Sequence, residues 1–283
     1  MTFRYKLLPA IFLFALAAFL FSCKKQNTTI DYNPAVAASN EFVANQQLMT
    51  QILNTYFKSL YDSTLWAQGY AEIDGAVVSI EDTPVVLMKI TYPWWGNHDG
   101  YGHFRMGVIE AIPETDFVQP DVLVNFNFID FYYDHDTIEV SKMTVQQVEN
   151  TAQNIYKYEV KVDSAVVIYA DTSGQNSFNM YQTFRLKKDP ATEYTSLLDK
   201  IYITGIMDGI TLDLTSYSAL VADSAEIIDM YDCRWLKNGP SELQVNGFQY
   251  PAFIYFPEPD SCINQYLVEI DDNPFPFPFD ISY

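Results

Sequence analysis

The chain is poor in positive charge: 16 Lys plus Arg stand against 36 Asp plus Glu, a formal net charge of −20 over 283 residues. So acidic a chain repels a phosphate backbone, which excludes nucleic-acid binding as a main role. Catalytic templates are missing too. There is no Gly-x-Ser-x-Gly elbow, no His-Glu-x-x-His and no phosphate loop, and Gly100, Gly102 and Gly107 are wrongly spaced for a Gly-x-Gly-x-x-Gly turn. Paired carboxylates for glycoside cleavage carry no local motif and stay open. Cys and His number only three each. Aromatic residues, by contrast, are plentiful: 21 Tyr, 20 Phe and 49% hydrophobic residues overall describe a folded anionic protein, not a disordered acidic tail. The length suits one large all-β domain or two small ones.

Residues 1–22 read as a signal peptide, with Arg4 and Lys6 before an apolar run from Leu7 to Phe21. That run contains Pro9 and falls short of the roughly 20 residues a bilayer span needs. Its ending, Leu20-Phe21-Ser22-Cys23, resembles a bacterial lipobox, so Cys23 is expected to carry acyl chains and anchor the protein to a membrane, the alternatives being a plain signal or an uncleaved anchor. Loss of the leader takes the charge from −20 to −22. Lys24 after the lipidated Cys resembles an outer-membrane sorting signal. Because Lys24-Lys25-Gln26-Asn27 is not acidic, the periplasmic face is favoured over the cell surface. Cys233 and Cys262 then remain as an even pair for a disulfide in an oxidising compartment; a thiolate metal site would need further Cys or His in that segment.

After a lipidated tether over residues 23–33, residues 34–283 read as a single β-rich domain. Pro34 to Trp66 carries apolar residues at three- and four-residue spacing, among them Phe42, Met49, Ile52, Leu53 and Phe57, which predicts one N-terminal helix with an apolar stripe. From Ala76 the period becomes two. Val122 to Phe128 and Tyr156 to Asp163 alternate, as do Thr211 to Thr215 and Glu242 to Val245. Turn signals fall at Asp99-Gly100, Asp134–Asp136, Asp171–Gly174, Asp208-Gly209, Asn238–Pro240 and Asp271–Pro274. Ten to fourteen strands without an intervening helix imply a large antiparallel meandering sheet, open or sandwich-like, with the helix packed against it. The Pro-Phe repeat from Pro274 to Phe279 suits only an edge strand or an extended cover.

Three groups of residues suggest chemistry. His98, His103 and His135, with Asp99 or Asp136, lie in turns at one end of such a meander and are spaced to allow a zinc site; ordinary polar hairpin turns are the alternative. Calcium has many candidate oxygen ligands in Asp208, Asp229, Asp232, Asp260, Asp271 and Asp272 but no dense Asp-x-Asp loop. Tyr92, Trp94 and Trp95 form an aromatic patch that either grips a glycan or an envelope protein or plugs the sheet end under the helix. The triplets beginning at Asp62, Asp136, Asp163 and Asp223 resemble Asp-Ser/Thr-aliphatic O-glycosylation acceptors, which would place sugars on Ser63, Thr137, Ser164 or Ser224.

The order of these features resembles uncharacterised β-rich Bacteroidota lipoproteins: a helix, an Asp-Gly turn at Asp99-Gly100, then Arg105 and Gly107, and a terminal unit with Asp208-Gly209, Cys233-Arg234-Trp235, Gly239 and Asp260-Ser261-Cys262. Pro257-Glu258-Pro259 replaces that group's Gly-Asp-Gly before the second Cys. The resemblance implies a β-rich envelope lipoprotein and no known chemistry. The resulting expectation is a lipid-anchored, non-catalytic binding or structural protein without a cofactor, the alternative being a metal-dependent hydrolase built on the histidine turns.

Overall fold

A computed structural model describes residues 30–82, 86–98, 102–117, 121–151 and 154–279. The leader, Cys23, Asp99 and Gly100 lie outside the described residues. The chain divides into two compact units, Met1–Tyr32 and Asn33–Tyr283, and every element among the described residues belongs to the second.

Helix α1 (Asn33–Leu60) is followed by the short α2 (Ser63–Gln68). Strands follow in chain order: β1 (Tyr70–Ile73), β2 (Ala76–Glu81), β3 (Leu87–His98), β4 (Phe104–Pro113), β5 (Leu123–Tyr133), β6 (Asp136–Thr151), β7 (Ile155–Ile168) and β8 (Gln175–Lys187). Then come β9 (Lys200–Ile210), β10 (Ser216–Val221), β11 (Ile227–Met230), β12 (Cys233–Asn238), β13 (Ser241–Val245), β14 (Ala252–Tyr255), β15 (Tyr266–Ile270) and β16 (Asn273–Phe277). All belong to one antiparallel, open 16-stranded sheet. Its main path runs β1 to β10 and on through β13 to β16, while β9 forks to pair with both β10 and β11, and β12 hangs on β11.

The expected helix exists but is not one rod with one apolar stripe. It breaks at Tyr61-Asp62, where the Asp62 carboxylate caps α2 by accepting the Leu65 N–H at 2.7 Å. More telling is the burial of α1: every residue from Asn45 to Phe57 is buried. A helix buried on all sides is enclosed. Its apolar residues meet Phe126 of β5, Tyr158 of β7 and Phe184 of β8, while Asn40 reaches Tyr266 of β15, so strands from most of the sheet surround it.

What bends the sheet is a run of ladder irregularities across neighbouring strands. Register shifts occur between Tyr92 and Asn97 in β3, at Gly107 in β4, and between Val162 and Ala165 in β7. Between β5 and β6 no register pair joins 127–131 to 138–142. Such bulges increase local twist and bend the strands. Gly107 is needed at this crease: its φ is +104°, and a Cβ there would run into the Asp130 carbonyl oxygen.

Two sequence expectations fail locally. Asp208-Gly209 is not a turn but lies inside β9, where Gly209 leaves room for the ring of Tyr217 on β10. Thr211 to Thr215 is not a strand but the β9–β10 hairpin, closed by the Leu214 N–H on the Thr211 carbonyl, with Leu214 in a left-handed conformation and 83% exposed. Alternation over five residues does not separate a strand from a hairpin tip. The Pro-Phe repeat does form the edge strand β16, with Pro274 and Pro276 paired to β15. Cys233 and Cys262 are joined, with S–S 2.10 Å and Cα–Cα 5.7 Å.

Candidate functional site

Trp94 and Trp95 sit in the irregular part of β3, where Tyr92 pairs with Gly107 and the next pair is Asn97 with Arg105. The bulge breaks the in-out alternation and turns both indoles outward, 80% and 67% exposed, in an edge-to-face pair with centroids 5.6 Å apart. Tyr92, expected in the same patch, is not part of it. It lies one position before the break, still on the enclosed face, and is 2% exposed.

The histidines go different ways. His98 is exposed and its ring Nδ1 lies 3.1 Å from the Gly102 carbonyl. His135 is exposed and stacks on Phe104. His103 is buried, its Nδ1 2.7 Å from Asp134 Oδ2 and its Nε2 3.3 Å from the Gln47 amide of α1. Burial by itself would raise the Asp134 pKa, but the His103 bond and charge, the Phe104 N–H and nearby Arg105 together hold it below the ordinary value. Asp136 accepts the Ala170 N–H at 2.9 Å, and burial raises its pKa. Among the described residues no three His, Cys, Asp or Glu side chains are grouped as a metal site requires. That covers His98, His103, His135 and Asp136, and also the calcium candidates. Asp99 lies outside the described residues. Of the acceptor-like residues, Ser63, Ser164 and Ser224 are exposed, and Thr137 is half-buried in β6.

The polar centre that sequence reasoning missed is inside. Arg105 is 1% exposed. Its Nη1 donates to Tyr92 Oη at 2.8 Å and Thr55 Oγ1 at 3.2 Å, and its Nη2 to Gln51 Oε1 at 3.1 Å, which also accepts from Tyr133 Oη at 2.7 Å. The guanidinium lies within 6 Å of both the Tyr92 and Tyr133 ring centroids. Thr55 Oγ1 passes the chain on to Asp74 Oδ2, whose other oxygen pairs with Lys58 at 2.7 Å. Further along the helix, Asn54 donates to the buried Asp229, whose pKa burial pushes up to about 6. The only hint in the sequence was a helix carrying Gln46, Gln47, Gln51 and Asn54 among its apolar residues.

Chemically, the interior network is a closed structural core, in which Gln51 Nε2 and Asn54 Oδ1 are buried without a hydrogen-bond partner. It presents no open position, whereas the Trp pair is presented to solvent. No family model matches the chain, and neither a curated protein nor a solved structure is similar to it at a meaningful level.

Proposed function

We propose that this chain is a non-catalytic binding protein of the cell envelope, held to a membrane by acyl chains on Cys23, and that Trp94 and Trp95 form its contact surface. The observation that carries the reading is the exposure of two adjacent indoles on a bulge of a strand whose neighbours are firmly paired. Large exposed aromatics are unfavourable in isolation, and rigid Trp anchors dominate binding surfaces. The hydrolase alternative lacks a specific support: His103 is occupied by Asp134 and Gln47.

Pull-down from detergent-solubilised envelope by the chain from Lys24 onward, compared with its Trp94→Ala/Trp95→Ala variant, tests the role of the pair. A ligand or protein retained by the wild type and lost with the variant supports the reading. Equal retention by both, with equal melting temperatures, removes the Trp pair from it. Anchoring is tested separately by metabolic labelling with a fatty-acid analogue, which Cys23→Ala should abolish.

A further inference from the structure

The crease that bends the sheet also opens it. Between the pairs Phe126–Met143 and Tyr132–Thr137, strands β5 and β6 run side by side without a register pair, five residues on each side. On their other edges β5 pairs with β4 through Phe128–Ile109 and Ile129–Val108, with the Gly107 bulge at Asp130, and β6 pairs with β7 through Glu139–Val166. The opening is a cleft of about 380 Å³ lined by residues 128 and 130–132 of β5 and 137–141 of β6, among them Asp130, Glu139, Phe128 and Tyr132. Its lining holds two carboxylates, the hydroxyls of Tyr132, Thr137 and Ser141 and the aromatic residues Phe128, Phe131 and Tyr132, and no lysine or arginine among the described residues.

Its surroundings narrow the occupant. Gly107 abuts Asp130, and the β3 bulge carrying Trp94 and Trp95 pairs next to Gly107. The indoles therefore lie two strands from Asp130, about 10 Å away. A cleft with two carboxylates and no lysine or arginine among its described lining residues rejects anions. The chain as a whole, at −20, attracts positive partners and repels a second copy of itself.

Resting on the binding reading above, we infer that the cleft between β5 and β6 receives an arginine or lysine side chain of a basic polypeptide partner, which Trp94 and Trp95 flank as an apolar anchor. The cation meets Asp130 and Glu139, the rings of Phe128 and Tyr132 offer their faces, and the apolar stem lies along the cleft. Burial of charge next to aromatic anchors is the arrangement in which Arg contributes most to an interface.

The probe is a fluorescein-labelled peptide of five Arg-Thr repeats, read by anisotropy. Asp130→Asn/Glu139→Gln removes the two charges while keeping shape, and Asn tolerates the left-handed conformation of Asp130, whose φ is +45°. Asp271→Asn/Asp272→Asn removes two charges at the distant β15–β16 turn as the control. We expect affinity to fall with added salt, to drop about tenfold or more in the cleft variant, and to change less than about twofold in the control. Equal losses in the two charge variants mean binding to net charge only and overturn the inference. If those losses are equal while Trp94→Ala/Trp95→Ala still weakens binding, the Trp reading survives without the cleft. If no variant weakens it, both fall. Salt-independent competition by neutral dextran assigns the surface to a glycan and overturns the inference as well.

Discussion

At the scale of single residues, the chain keeps several side chains in places that their neighbours alone make tolerable. Gly107 is one, since any Cβ there strikes the Asp130 carbonyl at a positive φ. Gly107→Ala is expected to destabilise by about 2–4 kcal/mol in urea titration, through backbone strain and not lost contact. Glu41 is another. One of its oxygens accepts the Leu212 N–H of the exposed hairpin at 3.0 Å, the other is buried without a partner, and burial, with Asp213 nearby, pushes its pKa from 4.5 up to about 7. Because the folded chain holds this proton more tightly than the unfolded one, stability falls as pH rises from about 4.5 to 7 and the full penalty applies above that window. Glu41→Gln keeps an acceptor for Leu212 and removes the penalty. The gain in melting temperature should be largest near pH 8 and vanish near pH 4.

Among elements, α1 is the one whose surroundings decide its character. Propensity and spacing were enough to place it, yet its polar residues are buried and must find partners inside the sheet. Gln46 and Gln182 of β8 exchange two amide bonds, at 3.1 and 2.7 Å, in the closed interior. Gln46→Leu alone leaves the Gln182 amide without that partner and should cost about 1–3 kcal/mol, while Gln46→Leu/Gln182→Leu should recover most of the loss in chemical denaturation. A double variant as unstable as the sum of the singles would mean that the pair contributes shape and not bonding. Strands with clean alternation, such as Tyr156 to Asp163, were readable because one face is enclosed and the other wet, and their inward residues Tyr158, Val160 and Val162 are buried. Tyr92 and the Trp pair were not separable by spacing, since a bulge resets the alternation between them and bulges leave no mark of their own in the sequence.

Over the whole molecule, a 16-stranded open sheet needs its ends managed. β16 does so with Pro274 and Pro276, which withhold amide hydrogens from further pairing. The edge strand β12 is tied down by the Cys233–Cys262 bridge, over a separation of 29 residues, and by stacking of Trp235 on Phe279. Replacing both cysteines by Ala should lower stability by about 3 kcal/mol, and treatment of the wild type with reductant should give the same fall in melting temperature. A wild type that labels with two alkylating groups before reduction would refute the bridge.

Much of this architecture is determined by the sequence itself. An excess of acid over base, period-two alternation broken by Asp-, Asn- and Gly-rich turns, one amphipathic N-terminal segment, a Cys pair and a terminal Pro-Phe run dictate a mainly antiparallel β protein with a helix and a protected edge. These are local properties, written in side chains whose spacing matches a strand or a helix. The tertiary structure alone decided that the helix would be enclosed, that Arg105 would bind it to the sheet through Gln51, Tyr92 and Thr55, and that β5 and β6 would part beside an exposed Trp pair. Each depends on residues far apart in the chain meeting at the crease. Where a sheet bends is set by the sum of many strand twists and bulges, which no window of neighbouring residues contains.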